Sequence, residues 1–281
     1  MLRPALFLIL AALAAGCSDA PPEPVPPPST PTALALDRPA AAFPTVAVGG
    51  EAALLAWTED GAAFVARWED GAVTAPARVS PPSDDAVSHG QAPAQIVTGP
   101  GNEVYVVYVT QTPAEARRFP TSDLRLARST DGGRTFSAPV RIHADGWQID
   151  GCPHAGPALA VDDAGRLHAV WYTGAEEHRG VLYAASDDGG RSFHVHHVLA
   201  SGVPIAQVGA GTNGERVWVA WEDPAEGAVR LARVGPDGGT PEVQIDLAGW
   251  AAPSLAVGAG RWVLAGQKEG GLAVETAPVT R

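Results

Sequence analysis

One sequence pattern recurs five times along the chain. Each copy opens with a proline and a short apolar strand, continues through a glycine turn, and adds a second apolar strand. The opening prolines are Pro44, Pro93, Pro157, Pro204 and Pro253. They lie about 50 to 65 residues apart, which leaves room for about four short strands in each copy. The sequence therefore predicts an all-β fold, a single β-propeller of four-stranded blades, with five blades favoured and six possible.

The end of the repeat bears on how the ring closes. The last copy stops after its third strand, near Val279. We expect residues 33–36 to supply the missing outer strand, because this N-terminal strand would close the ring and remove an exposed sheet edge. That closure gives five blades, whereas the long second copy could hide irregular strands of a sixth.

Two copies carry a sharper signature after their third strand. It reads Ser-x-Asp-x-Gly-x-Thr/Ser-Phe and occurs at residues 129–136 and 186–193. The defining residues are Ser129, Asp131, Gly133 and Phe136 in one copy and Ser186, Asp188, Gly190 and Phe193 in the other. In such a hairpin the carboxylate accepts backbone N–H groups, the glycines take positive φ, and the Phe fills the blade interior.

This signature resembles the Asp box, the BNR repeat of the sialidase superfamily. The resemblance implies a β-propeller and places the boxes on the face away from the usual active site. We therefore expect a structural role for Asp131 and Asp188. For a sialidase it also implies three arginines that hold the substrate carboxylate and a tyrosine nucleophile. A glutamate would activate the tyrosine, and an aspartate would act as the acid.

The catalytic part of the resemblance fails at the first of these arginines. The expected Arg-Ile-Pro motif reads Ala42-Phe43-Pro44 in this chain, and a methyl group cannot hold a carboxylate. Tyr172 is a weak candidate for the nucleophile. Glu59 and Glu176 are weak candidates for the two carboxylates of another glycosidase mechanism. An exo-glycosidase stays open as an alternative, but the fold is predicted to lack authentic sialidase catalysis.

Polar loops are expected to gather around one mouth of the central channel. They run from strand two to strand three of a blade and from strand four to the next blade. Candidate ligand-binding residues there are Arg117, Arg118, Arg179 and Glu222. Because binding residues are often carried on loops held by a rigid scaffold, we expect a glycan or protein ligand at this top face.

A Cys/His set suggests an alternative function. Cys152 and His154 precede the third copy, and His89 occupies a similar place before the second. A thiolate with two imidazoles suits copper or zinc, so the chain could be a transition-metal or redox protein. The chain's one methionine, Met1, leaves with the signal peptide, which excludes an axial Met ligand. The alternative is that Cys152 is a small buried hydrophobic residue.

The N-terminus predicts export. Residues 1–16 have a basic start and an uncharged apolar run, as in a signal peptide. They lead to Cys17 through a stretch that resembles a bacterial lipobox. We expect lipidation of Cys17, an anchor and Pro-rich linker over residues 17–32, and the propeller over residues 33–281.

The predicted location is the bacterial cell envelope. An outer-membrane or periplasm-facing position is favoured over the inner membrane, and the propeller is expected to be monomeric. The membrane is the expected partner of the lipid anchor. The net charge of −12 and a single lysine, Lys268, argue against nucleic acid as a partner.

Overall fold

The strands of the repeat are buried on both faces, which explains why they read as nearly continuous apolar runs. In the strand that begins at Val104, the side chains of Val104, Val106 and Tyr108 enter one core, and those of Tyr105 and Val107 enter another. Successive side chains of a strand point to opposite faces, so a strand between two packed sheets needs apolar residues at every position.

The computed structural model describes residues 38, 40–49, 52–87, 90, 92–113, 119–150, 155–234, 243–258 and 260–279. Within them the chain forms twenty-one β-strands in five antiparallel sheets, taken in chain order. None of these residues belongs to a helix long and apolar enough to cross a membrane. The all-β prediction is confirmed.

Each sheet is one blade. Blade 1 contains β1 (Ala42–Gly49), β2 (Ala52–Glu59), β3 (Ala62–Glu69), β4 (Ala72–Val73) and β5 (Ala77–Arg78). Blade 2 contains β6 (Asp85–Val87), β7 (Gln95–Thr98), β8 (Val104–Thr112), β9 (Thr121–Ser129) and β10 (Val140–Arg141). Blade 3 contains β11 (Ala158–Val161), β12 (Leu167–Thr173), β13 (Gly180–Ser186) and β14 (His194–Ser201). Blade 4 contains β15 (Val208–Thr212), β16 (Val217–Asp223), β17 (Ala228–Val234) and β18 (Val243–Ala248). Blade 5 contains β19 (Trp250–Val257), β20 (Arg261–Lys268) and β21 (Gly271–Pro278).

Two blades have an interrupted strand rather than a fifth one. In blade 1, β4 and β5 both pair with β3, and in blade 2, β6 and β7 both pair with β8. The described residues of the second copy form the nine-residue strands β8 and β9 and no sixth sheet. The structure therefore confirms five blades. The predicted closing strand, residues 33–36, lies outside the described residues.

Buried apolar clusters join consecutive blades. The large side chains in these clusters include Tyr108 between blades 1 and 2, Trp171 between blades 2 and 3, Trp221 between blades 3 and 4, and Trp262 between blades 4 and 5. Each blade thus stabilises its neighbours through side chains that alternate along its strands. Burial of such residues is the main source of stability in a fold built from stacked sheets.

The outer faces of blades 1 and 5 are different. Thr45 and Ala47 of β1 face blade 2, so the intervening Val46 and Val48 point away from it and are 71% and 75% exposed. On β21, Leu272 and Val274 are 84% and 61% exposed. Among the described residues, no buried apolar cluster joins blade 5 to blade 1.

Candidate functional site

Backbone hydrogen bonds join the two loop sets that were expected to share one face. The amide of Gly202 donates to the carbonyl of Arg179 at 2.8 Å, and the amide of Gly249 donates to Gly227 at 2.7 Å. In each pair one residue follows the outer strand and the other lies between the second and third strands. We call this end of the propeller the top face.

A cavity of about 310 Å³ lies at the top of the central channel. Its walls are the first residues of β7, β11 and β15 and the middle of β19, with the backbone that leads into them. The polar side chains in the wall are those of Gln95, Gln207 and Ser254. No Asp, Glu, His, Lys or Arg belongs to the described lining, so the cavity offers amide, hydroxyl and backbone groups for hydrogen bonding.

Glu222 stands directly behind this wall. Its backbone amide donates to the backbone carbonyl of Gln207 at 2.9 Å, and its Oε2 accepts the backbone amide of Gln207 at 3.4 Å. The sequence predicted Glu222 as a ligand-binding residue. In the structure it supports Gln207 from β16 and does not itself line the cavity.

Glu59 ends β2 and is already engaged. Its Oε2 accepts hydrogen bonds from Arg38 Nη1 at 3.3 Å and from Trp57 Nε1 at 3.2 Å. Glu176, the other candidate carboxylate, is exposed in a loop of blade 3. The two residues belong to blades that are not neighbours, and neither lines the channel cavity.

Tyr172 and Arg179 lie at the top of blade 3. Burial raises the pKa of the Tyr172 hydroxyl, against the opposing charge of Arg179. That hydroxyl donates to the carbonyl of Val203 at 3.4 Å, and the ring meets Trp147 edge-on. Arg179 lines a separate open cavity with Glu176. Tyr172 is therefore buried and packed in this arrangement, and its role as a nucleophile stays a prediction.

A buried acidic cluster between blades 2 and 3 was missed by the sequence reasoning. Asp123 on β9 pairs with Arg141 Nη2 at 3.1 Å. Burial raises the pKa of Asp123, although the positive charges of Arg141 and Arg125 oppose the rise. Asp145 lies nearby, with Oδ2 3.8 Å from His143 Nδ1. The signal was the stretch of residues 142–150, which follows β10 and holds the titratable residues His143, Asp145 and Asp150.

The space inside this cluster is small. The His143 ring contacts the rings of Trp171 and His178, with centroids 5.7 and 5.8 Å apart. The enclosed cavity measures about 20 Å³, enough for about one water molecule. A sugar cannot enter a space of this size, so the channel cavity is the better candidate for a ligand site.

The signature turn at residues 129–136 is held by its own carboxylate. Asp131 accepts the amides of Arg134 and Thr135 at 3.0 and 2.9 Å, and the hydroxyl of Thr135 at 2.6 Å. Ser129 donates its hydroxyl to Asp131 at 2.7 Å and accepts the amide of Gly133 at 2.9 Å. The turn thus satisfies several of its backbone donors internally, and the amide of Gly132 donates to the carbonyl of Asn102 at 2.9 Å.

The turn at residues 186–193 repeats this geometry around Asp188. Its carboxylate accepts the amides of Arg191 and Ser192 at 2.9 and 3.0 Å and the Ser192 hydroxyl at 2.6 Å. The slight burial of Asp131 and of Asp188 acts to raise their pKa. The hydrogen bonds to the ionised form outweigh it, and both pKa values lie well below their usual range.

Both turns seal the joint with the preceding blade, at the end opposite the top face. A Cβ added at Gly133 would lie 3.0 Å from Leu54 of blade 1, and one at Gly190 would lie 2.5 Å from Leu126 of blade 2. Phe136 and Phe193 pack in these inter-blade cores rather than inside a single blade. The positive φ expected at both glycines is present, at 86° and 79°.

A larger cavity, of about 550 Å³, lies beside the first of these turns. Its charged groups are largely paired with one another. Arg67 and Arg134 both contact the carboxylate of Glu69, and Arg67 Nη1 donates to the carbonyl of Gly132 at 3.1 Å. These bonds connect blades 1 and 2, which indicates a structural role for the charged lining.

Several predicted residues lie outside the part of the chain that the structure describes. They are Cys17, His89, Arg117, Arg118, Cys152 and His154. Among the described residues, no group of three or more His, Cys, Asp or Glu side chains is spaced to hold a metal ion. The Cys/His metal site and the binding role of the two arginines therefore stay predictions.

Comparison with known proteins supports the fold. No protein-family model matches the chain, and no curated protein matches it. Among solved structures, a polysaccharide lyase of family PL25, an ulvan lyase, aligns with a TM-score of 0.54 at 11% identity over 85% of this chain and 70% of that one. An α-L-arabinanase from Penicillium chrysogenum aligns with 0.49 at 13% identity over 81% and 71%, and the Hadza microbial sialidase Hz136 with 0.38 at 14% over 85% and 66%. At 11% identity the similarity to the lyase supports the fold alone and says nothing about activity.

Proposed function

We propose that this chain is a lipid-anchored, exported β-propeller that binds a glycan at the top of its central channel without hydrolysing it. The channel cavity carries the proposal. Its volume of about 310 Å³ lies at the lower end of the range of small-molecule sites. Two amide side chains and one hydroxyl line it, from β7, β19 and the residue before β15, and such groups can both donate to and accept from sugar hydroxyls.

The absence of ionisable groups from the described lining favours binding over catalysis. Hydrolysis of a glycosidic bond normally needs two carboxyl groups on either side of that bond, about 5 to 9.5 Å apart. Glu59 is occupied by Arg38, Tyr172 is buried, and Ala42 stands where a sialidase would need arginine. A glycan in the channel cavity would therefore find hydrogen-bonding groups but no acid–base pair among the described residues.

The N-terminal sequence supplies the location in this proposal. Lipidation of Cys17 would hold the chain at the membrane, and the prolines that follow would act as a semi-rigid spacer. A binding propeller on such a spacer can capture glycans near the cell surface or within the envelope.

The test is a glycan-binding screen on the full chain purified in detergent. We expect at least one oligosaccharide to bind, with affinity reduced about tenfold or more by Gln95→Ala or Gln207→Ala, since each removes hydrogen bonds in a desolvated site. Thr130→Ala, at the opposite end of the propeller, is the matched control and should bind normally. Release of reducing ends from the bound glycan, or full binding by both glutamine variants, would contradict the proposal.

A further inference from the structure

We infer that the channel site takes an uncharged glycan and discriminates against acidic sugars such as sialic or uronic acids. This inference rests on the proposed function and adds the charge class of its ligand. It follows from three features of the described residues: the neutral lining of the cavity, the pairing of cations with carboxylates of the protein, and the position of Glu222.

Among the described lining residues, an acidic sugar finds no partner for its charge. The polar side chains described there are Gln95, Gln207 and Ser254, and the other lining residues are glycine, proline or aliphatic. A carboxylate that enters such a cavity loses hydration, and neutral amides replace only part of it. A buried charge without an ionic partner is costly, so a neutral sugar of the same shape should bind more tightly.

Several cations of the described blades are already paired with carboxylates of the protein. Arg38 pairs with Glu59 at 3.3 Å, and Arg141 pairs with Asp123 at 3.1 Å. In blade 4, Arg230 Nε lies 3.0 Å from an oxygen of Asp223. An acidic ligand would have to compete with these internal pairs for each guanidinium.

The remaining cations of the described top face lie away from the cavity. Lys268 Nζ sits 5.9 Å from the centre of the Trp250 ring, and Arg179 lines the separate cavity on blade 3. Neither residue belongs to the described lining of the channel cavity. They therefore provide no direct contact for an acid group bound there.

Negative charge behind the wall acts in the same direction. Glu222 Oε2 accepts a hydrogen bond from the backbone amide of Gln207 at 3.4 Å, which places a carboxylate next to one of the lining residues. The chain as a whole carries a net charge of −12. Both fields repel an anion, and the repulsion should weaken as salt screens it.

The experiment compares matched neutral and acidic sugars on the full chain in detergent. Lactose with sialyllactose, and a glucose-terminated disaccharide with its glucuronic acid counterpart, are titrated at low and high salt. We expect the neutral member of the pair that binds to be favoured about tenfold or more, with a smaller preference at high salt. Equal or tighter binding of the acidic member would overturn the inference but leave the proposed function standing. If none of these four sugars binds and the glycan screen is also negative, both the inference and the proposed function are overturned.

A charge inserted into the wall provides the second arm. Gln207→Arg and Gln95→Arg each place a guanidinium at the cavity and should shift the preference toward the acidic sugar by about tenfold. Gln207→Leu is the matched control, because it removes the amide without adding charge and should weaken both sugars alike. If both arginine variants keep the folded melting transition yet leave the preference unchanged, the inference is wrong.

Discussion

Replacing Asp131 with Ala tests whether the signature turns serve stability rather than ligand binding. The substitution removes an acceptor that holds two backbone amides and the hydroxyls of Thr135 and Ser129. Part of the turn faces solvent, so water replaces some of the lost bonds. The closest measured analogues are side chains that cap exposed backbone amides, and their removal costs about 1–2 kcal/mol.

That loss corresponds to a fall in melting temperature of about 2–8 °C for a domain of this size. The fold should survive because Phe136 and Gly133 still pack against blade 1. The assay is thermal unfolding followed by circular dichroism, with Thr130→Ala as the control. Thr130 is exposed in the same turn and has no described hydrogen bond, so we expect its substitution to change stability by less than about 0.5 kcal/mol.

The pH dependence gives a second readout of the same substitution. The pKa of Asp131 is lower in the folded protein than in the unfolded chain, so its contribution is fully present above the unfolded value of about 4. It is lost as the pH falls toward the folded pKa. The difference between Asp131→Ala and the wild type should therefore be larger at pH 7 than near pH 3. Equal melting temperatures for Asp131→Ala and Thr130→Ala, or lost glycan binding with unchanged stability, would refute this reasoning.

Three further predictions concern other parts of the chain. Burial lowers the pKa of the His168 imidazole, although the carboxylate of Asp162 acts to raise it. The wild type should therefore lose stability as the pH falls from about 7 to 5, and His168→Gln should lose less over that interval. Melting temperatures of the two proteins that fall in parallel with pH would contradict this. We propose that residues 33–36 cover the exposed edge of β21. A chain that begins at residue 38 should therefore have a lower melting temperature than one that begins at residue 33. Identical melting temperatures would argue for another closing segment. If Cys152, His154 and His89 bind copper or zinc, the purified chain should contain stoichiometric metal. The Cys152→Ala and His154→Ala variants should both lose it. If the wild type and both variants contain no metal, Cys152 is a packing residue.

The blade pattern could be predicted because it is local. A proline, an apolar strand and a glycine turn recur along the chain, and each strand shows its burial in its own residues. The pairing of β15, β16 and β17 follows from their order and short connections. The signature turns were also predictable, because Asp131 bonds to residues within four positions of itself.

The site depends on residues that are distant in the chain. Gln95, Gln207 and Ser254 come from three blades and meet because the strands that begin each blade surround one channel. The sequence offered Glu59 and Glu176 as equivalent candidate carboxylates. In the structure Glu59 accepts a hydrogen bond from Arg38, whereas Glu176 is exposed in a different blade. Asp123 shows no sequence signal of its own, since its raised pKa arises from burial beside the loop that brings Arg141 and Asp145.

The sequence by itself determined the class of fold and the position of the turns and favoured five blades over six, because alternation, repeat length and short-range hydrogen bonds are written in consecutive residues. The tertiary structure decided which polar residues share a cavity, which cations are already neutralised and where each Phe of a turn packs. Those properties depend on how neighbouring blades approach one another, and only the packed ring fixes the distances between side chains that are far apart in sequence.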